Sequence, residues 1–249
     1  MSRLIPFVLA TILALTGCVN DNSTKRIPGQ PYKEFIGENG NGVNKIYNAE
    51  GKLETEVPYK DSLPNGIQKE YYKTGQLYRE TPFEMGKAIG LVKEYYTSGK
   101  LYREMPVIDG KANGIVKKYY ENGVLLSEAP FENGQPTIGL KEYNEKGKLI
   151  DKPKMVFKGI NKTSSGGIYI IEVSFSDEYI EPTYFQVLNF EGKEIFNKVP
   201  VVNGKGVLTI SIPKGTILNK KITFEARYNT IRKNTYITRD SYNLALMSY

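Results

Sequence analysis

The residues of this chain that could do chemistry come in rows. Glu56, Glu80, Glu104 and Glu128 stand 24 residues apart, and Lys45, Lys69, Lys93 and Lys117 keep the same interval. Periodic carboxylates and ammonium groups could form a strip that binds a repetitive polymer such as a glycan. They could equally pair across neighbouring strands, where each opposite-charge pair contributes roughly 0.2–1 kcal/mol and helps to set register. A third row, Tyr72, Tyr96 and Tyr120, offers flat apolar area with a hydrogen-bonding tip. Such side chains suit sugar or protein contacts, and they suit packing against another element of the same chain. These three are the candidate partner-binding residues.

What the chain lacks narrows the chemistry further. It has no His and no Trp, and its single cysteine is Cys18. Ser-His-Asp and Cys-His nucleophilic systems and His/Cys-ligated zinc sites are therefore excluded. A carboxylate-based hydrolase would need two acids roughly 5–9.5 Å apart in a cleft, and flat repeat sheets form clefts poorly. Asp177, Glu178 and Asp240 could hold a hard cation together with carbonyl oxygens, but nothing in their spacing asks for one. The expectation is a non-enzyme with no catalytic residues, no cofactor and no metal.

Cys18 closes the N-terminal stretch MSRLIPFVLATILALTGC. Arg3 gives a short positive region, and Leu4 to Leu15 is too short to span ~30 Å of hydrocarbon. The run sits where an export signal sits, and Leu15-Thr16-Gly17-Cys18 resembles the bacterial lipobox, in which the Cys is lipidated and becomes the new first residue. Residues 1–17 then read as a lipoprotein signal peptide and 18–30 as the lipidated Cys with a polar, flexible tether. The expected location is exported and membrane-anchored through Cys18. Val19, where an Asp would mark inner-membrane retention, favours the outer membrane in a cell that has two. Of the net charge of +7, the segment from Lys154 onward carries 13 Lys/Arg against 8 Asp/Glu. That field could face anionic headgroups or an acidic glycan, or be ordinary solubilising charge; nucleic acid is not an expected partner.

The rows belong to a repeat. Gly51, Gly75, Gly99, Gly123 and Gly147 are spaced by 24, as are Tyr47, Tyr71, Tyr95, Tyr119 and Tyr143. Leu53, Leu77, Leu101, Leu125 and Leu149 keep phase, and Pro58, Pro82, Pro106 and Pro130 follow. An opening glycine recurs at Gly42, Gly66, Gly90 and Gly114, whereas the fifth, Gly139, comes one residue late. Each unit reads as a β-hairpin: Leu91–Tyr96, a turn at Thr97–Lys100 with Gly third, and a return strand Leu101–Met105. The Pro cannot donate to a ladder and fits the strand end. Alternation along the first strand places Val43, Ile67, Leu91 and Ile115 on one face with the first Tyr of each unit, and Tyr72, Tyr96 and Tyr120 on the other. The set shared with the aliphatic residues is the one expected to be buried.

The pattern G-x-x-K-E-Y-Y-x-x-G-x-L-x-x-E-x-P-[FY] resembles the bacterial variant of the MORN repeat, found in chains labelled YwqK-family antitoxins. The resemblance covers about Gly42 to Pro153, and units stray from it at Lys118 and Val107. It implies an extended single-layer sheet of stacked hairpins, over 31–154, with a binding or scaffolding role. After Met155 the repeat stops, and about seven short strands separated by Gly and Pro turn signals fit a β-sandwich of immunoglobulin-like architecture over 155–249. The expected fold is all-β: a hairpin-repeat sheet followed by that sandwich. The expected function is a lipid-anchored cell-envelope binding or scaffolding protein that contacts a protein or glycan. An immunity or antitoxin-type lipoprotein that neutralises an exported toxin is the alternative.

Overall fold

The computed structural model describes residues 27–177 and 180–247. The signal, lipobox and most of the tether lie outside them, as does Glu178. The hairpin array opens with β1 (Tyr32–Glu38) and β2 (Asn41–Tyr47). Three units of the same build follow: β3 (Leu53–Lys60), β4 (Leu63–Pro64) and β5 (Gly66–Tyr71); β6 (Leu77–Glu84), β7 (Lys87–Ala88) and β8 (Gly90–Tyr95); β9 (Leu101–Ile108), β10 (Lys111–Ala112) and β11 (Gly114–Tyr119). It ends with β12 (Leu125–Glu132), β13 (Gln135–Pro136) and the short β14 (Lys141–Glu142). All belong to one 14-stranded antiparallel sheet whose long strands neighbour one another in chain order.

Two recurring devices build each unit. The turn glycine supplies a backbone angle that L side chains rarely adopt, as at Gly99 with φ +82°. A register shift between Glu94 and Tyr95 accompanies it, so the hairpin carries a bulge opposite its Tyr. The opening glycine lies over the proline of the preceding return strand, and that proline, expected at the strand end, sits inside it, since β6 continues through Phe83 and Glu84. A Cβ on Gly90 would stand 3.1 Å from Pro82 Cγ, and φ there is +111°. Gly139, one residue out of phase, occupies the same place: a Cβ there would meet Pro130 Cγ at 3.2 Å. The small second connections also stack, with the Gly110 amide donating to the Ala88 carbonyl and the Gly134 amide to Ala112.

The second part is a β-sandwich. One sheet joins β15 (Met155–Lys162), β16 (Ile168–Phe175), β19 (Val201–Val202) and β20 (Lys205–Ser211). The other joins β17 (Thr183–Phe190), β18 (Lys193–Val199), β21 (Ile217–Asn229) and β22 (Thr235–Met247). A single helical turn, α1 (Thr163–Gly166), links β15 to β16 where the sequence carries Ser165-Gly166-Gly167. Ile171, Val173 and Phe175 from one sheet pack against Tyr184, Phe224, Ala226 and Leu244 from the other to form the core. Strands β21 and β22 run 13 residues each, longer than the alternation alone indicates.

One expectation about the array is reversed. Ile67, Leu91 and Ile115, which share a face with Tyr71, Tyr95 and Tyr119, are 52%, 41% and 44% exposed. The buried residues lie on the opposite face, with Tyr72, Tyr96 and Tyr120: Val92 and Val116, joined by Val57, Thr81 and Ala129 on the return strands. The reason is physical. Bulges add Tyr78 and Tyr102 to that face, and the turn between β21 and β22 folds over it.

Candidate binding faces of the hairpin array

On the Tyr71 face, each first tyrosine reaches back to the glutamate of the preceding hairpin. Tyr71 Oη donates to Glu56 Oε2 at 2.7 Å, Tyr95 to Glu80 at 2.7 Å, Tyr119 to Glu104 at 2.8 Å and Tyr143 to Glu128 at 3.0 Å. Tyr47 makes the same contact with Glu34 at 3.3 Å, and its ring stacks on Tyr32 at 4.5 Å. Burial, and then the neighbouring carboxylate, pushes the hydroxyls of Tyr71, Tyr95 and Tyr119 up to about 12. The Tyr71 hydrogen bond in turn holds Glu56 below the usual carboxylate range, against burial and with help from Lys45.

The glutamate and lysine rows interleave. Glu80 pairs with Lys69 inside its hairpin and with Lys93 across to the next, and Glu104 lies likewise between Lys93 and Lys117. Lys45 Nζ sits 3.4 Å from Glu56 Oε1. Each carboxylate therefore bonds the neighbouring tyrosine and stands in register with lysines, and at Glu56 it also closes an ion pair. Beside these rows and in register with Pro82, Pro106 and Pro130, Ile67, Leu91 and Ile115 form an exposed aliphatic line.

The candidate residues Tyr72, Tyr96 and Tyr120 reach the other way. Tyr72 Oη donates to the Tyr95 carbonyl at 2.6 Å, Tyr96 to the Tyr119 carbonyl at 2.7 Å, and Tyr120 to the Tyr143 carbonyl at 2.8 Å. The rings are half-buried, with Tyr72 on Tyr78 and Tyr96 on Tyr102 at 5.0 and 5.1 Å between centroids. The doublet thus clamps each hairpin to both neighbours: its first hydroxyl holds the unit before, its second the unit after. The tips proposed for partner contact are bonded within the chain.

The last units of this face meet the sandwich. Glu142, only 1% exposed, accepts from Thr230 Oγ1 and Asn234 Nδ2 at 2.7 Å each and pairs with Lys152. Burial alone would raise its carboxyl, but these donors outweigh it and hold the group below its ordinary range. Lys118 Nζ donates to Asn234 Oδ1 at 2.7 Å, and Arg232 Nε to Tyr120 Oη at 3.3 Å. The departure from the repeat pattern at Lys118 is therefore a contact with the turn between β21 and β22. Asn234 and Thr230 went unnoticed in the sequence because neither belongs to the repeat; Glu142 keeps the phase of Glu70 and Glu94, but its contacts with Thr230 and Asn234 span about 90 residues. A similar cluster lies on the sandwich, where buried Glu225 accepts from Arg227 and Arg239 at 2.6 and 2.7 Å.

Among the described residues, no group of three or more His, Cys, Asp or Glu is placed to hold a metal ion, and no helix is long and apolar enough to cross a membrane. No curated protein matches the chain. The family comparison agrees with the geometry of the array: residues 40–61, 64–85, 89–109 and 112–133 match the MORN repeat variant, so this chain carries four such repeats.

Proposed function

We propose that this is a lipid-anchored cell-envelope protein that binds or scaffolds an extended protein or glycan through the Tyr71 face of its array, without catalysis. The observation that carries the reading is the exposed line of Ile67, Leu91 and Ile115, flanked in phase by Lys and Glu rows. Repeats two strands apart advance by roughly 10 Å at ordinary strand spacing, so this line offers equal contacts at equal intervals. Such a surface suits a partner that lies across the strands and itself repeats or extends. The opposite face suits that role less, because its tyrosine tips are engaged and the sandwich covers its last units.

The anchor rests on Leu15-Thr16-Gly17-Cys18. Labelling cells with a palmitate analogue should mark the wild-type chain and not Cys18→Ala; a labelled mutant would remove the anchor from the proposal. For the face, a triple Ile67→Ser, Leu91→Ser, Ile115→Ser variant should lose co-sedimentation with isolated envelope glycan, or capture of a defined envelope protein, by at least about tenfold. Three exposed aliphatic side chains can supply that much if a partner covers them, given roughly 25 cal/mol per Å² of apolar area. Binding equal to wild type would contradict the assignment.

A further inference from the structure

Across successive strands of the Tyr72 face, paired residues run Glu70, Arg79, Glu94, Arg103, Lys118, Ser127, Glu142. Charge alternates as far as Arg103. There the period calls for a glutamate and then an arginine, and the chain has Lys118 and Ser127 instead. Two cations are left side by side, a cross-strand arrangement that is destabilising by itself. At this break a cavity of about 470 Å³ opens between the sheet and the turn joining β21 to β22. Arg79, Arg103, Lys111, Lys118 and Lys233 line it, and among the described residues no carboxylate does.

The cavity also gathers donors that have nothing to bond. Ser127 is 0% exposed, and its Oγ lacks a hydrogen-bond partner, as do the buried Arg79 Nε and Arg103 Nε. Among the described residues these are the buried side-chain polar atoms without a partner, and all three residues line this cavity. Leaving such a group unpaired costs about 1–3 kcal/mol, so three in one place point to an occupant. Arg103 already gives Nη2 to Glu94 at 2.6 Å, which leaves Nε for another acceptor. Met105, Val116 and Phe131 supply apolar wall.

We propose that this cavity binds a small organic anion, a carboxylate or phosphate monoester with an apolar body, through Arg79, Arg103, Lys118 and Ser127. Two guanidinium groups and a hydroxyl suit planar or tetrahedral oxyanions. The volume falls in the range of ligand sites, which are mostly apolar with a few placed polar groups. Water could satisfy the donors but would bring no negative charge to Lys118, whose hydrogen bonds go to the neutral Asn234 and Lys233 oxygens. Burial, followed by the charge of Arg103, holds Lys118 below its ordinary range, and a bound anion would oppose that. The site lies on the sheet face opposite the proposed partner surface, so either can fail without the other.

The test is calorimetric titration of the full chain at fixed ionic strength with benzoate, phenyl phosphate and neutral benzamide. At least one anion should bind saturably at one site per chain, with benzamide at least about tenfold weaker. The stronger anion identifies the headgroup. Arg103→Gln would strand buried Glu94, so Arg79→Gln and Ser127→Ala are the informative variants. A tenfold or greater loss in either supports the site. Absence of saturable anion binding, equal binding of benzamide, or unchanged affinity in both variants would overturn it.

Discussion

At the residue scale, a tyrosine doublet that looks like a binding motif works first as a fastener. Tyr95 holds Glu80 of the hairpin before it, and Tyr96 holds the Tyr119 carbonyl of the hairpin after it. Removing the Tyr95 hydroxyl with Tyr95→Phe should cost about 1–2 kcal/mol in denaturant unfolding, because a hydrogen bond to a carboxylate is lost. The same contacts set a pH limit. Tyrosines of the unfolded chain ionise near 10, whereas Tyr71, Tyr95 and Tyr119 are pushed up to about 12. Their stabilisation is therefore complete below pH ~10 and lost as pH rises toward 12. Absorbance titration at the phenolate band should show a late-ionising class that shrinks in Tyr95→Phe; simultaneous ionisation of all tyrosines near 10 would contradict the bonds. The doublet's two-sidedness was legible from alternation alone. Which side is buried was not, because Gln68, Val92 and Val116 differ among units and leave no periodic signal.

At the element scale, the hairpin was largely legible, since its turn glycine and alternation are local chemistry; the bulge was not read, and the proline expected to end the return strand lies two residues inside it. The opening glycine out of phase, Gly139, keeps its place over Pro130 despite its shift in sequence. Contact with the proline, together with positive φ, is what the opening glycine provides. Gly90→Ala should therefore destabilise the array by about 1–3 kcal/mol, since it adds strain at φ +111° and a 3.1 Å contact with Pro82. Calorimetric melting that matches wild type would show that neither constraint acts. In the sandwich the strands were legible from alternation and turn signals. The full lengths of β21 and β22 were not, because Lys220, Lys221 and Asn243 break the apolar pattern while the backbone ladder continues through them.

At the scale of the whole molecule, the junction between array and sandwich left only the departure at Lys118 as a trace in the sequence, for its residues meet only when both parts have folded. Glu142 is its centre, and Glu142→Gln should lower stability by about 2–3 kcal/mol, since Lys152 and two neutral donors lose a charged acceptor. Because the folded carboxyl is held below its ordinary range, this contribution is present above pH ~4.3 and fades as pH falls further. Acid unfolding followed by circular dichroism should lose that component in Glu142→Gln; identical acid profiles would remove the junction's role. The junction covers the last units of the Tyr72 face and leaves open the aliphatic line of the Tyr71 face, the one proposed to contact a partner. The most direct test compares two triple variants for both melting temperature and partner binding. Tyr72→Phe, Tyr96→Phe, Tyr120→Phe should melt lower and keep binding, while Ile67→Ser, Leu91→Ser, Ile115→Ser should melt near wild type and lose binding by about tenfold or more. The reverse pattern, binding lost only with the tyrosine hydroxyls, would contradict the account.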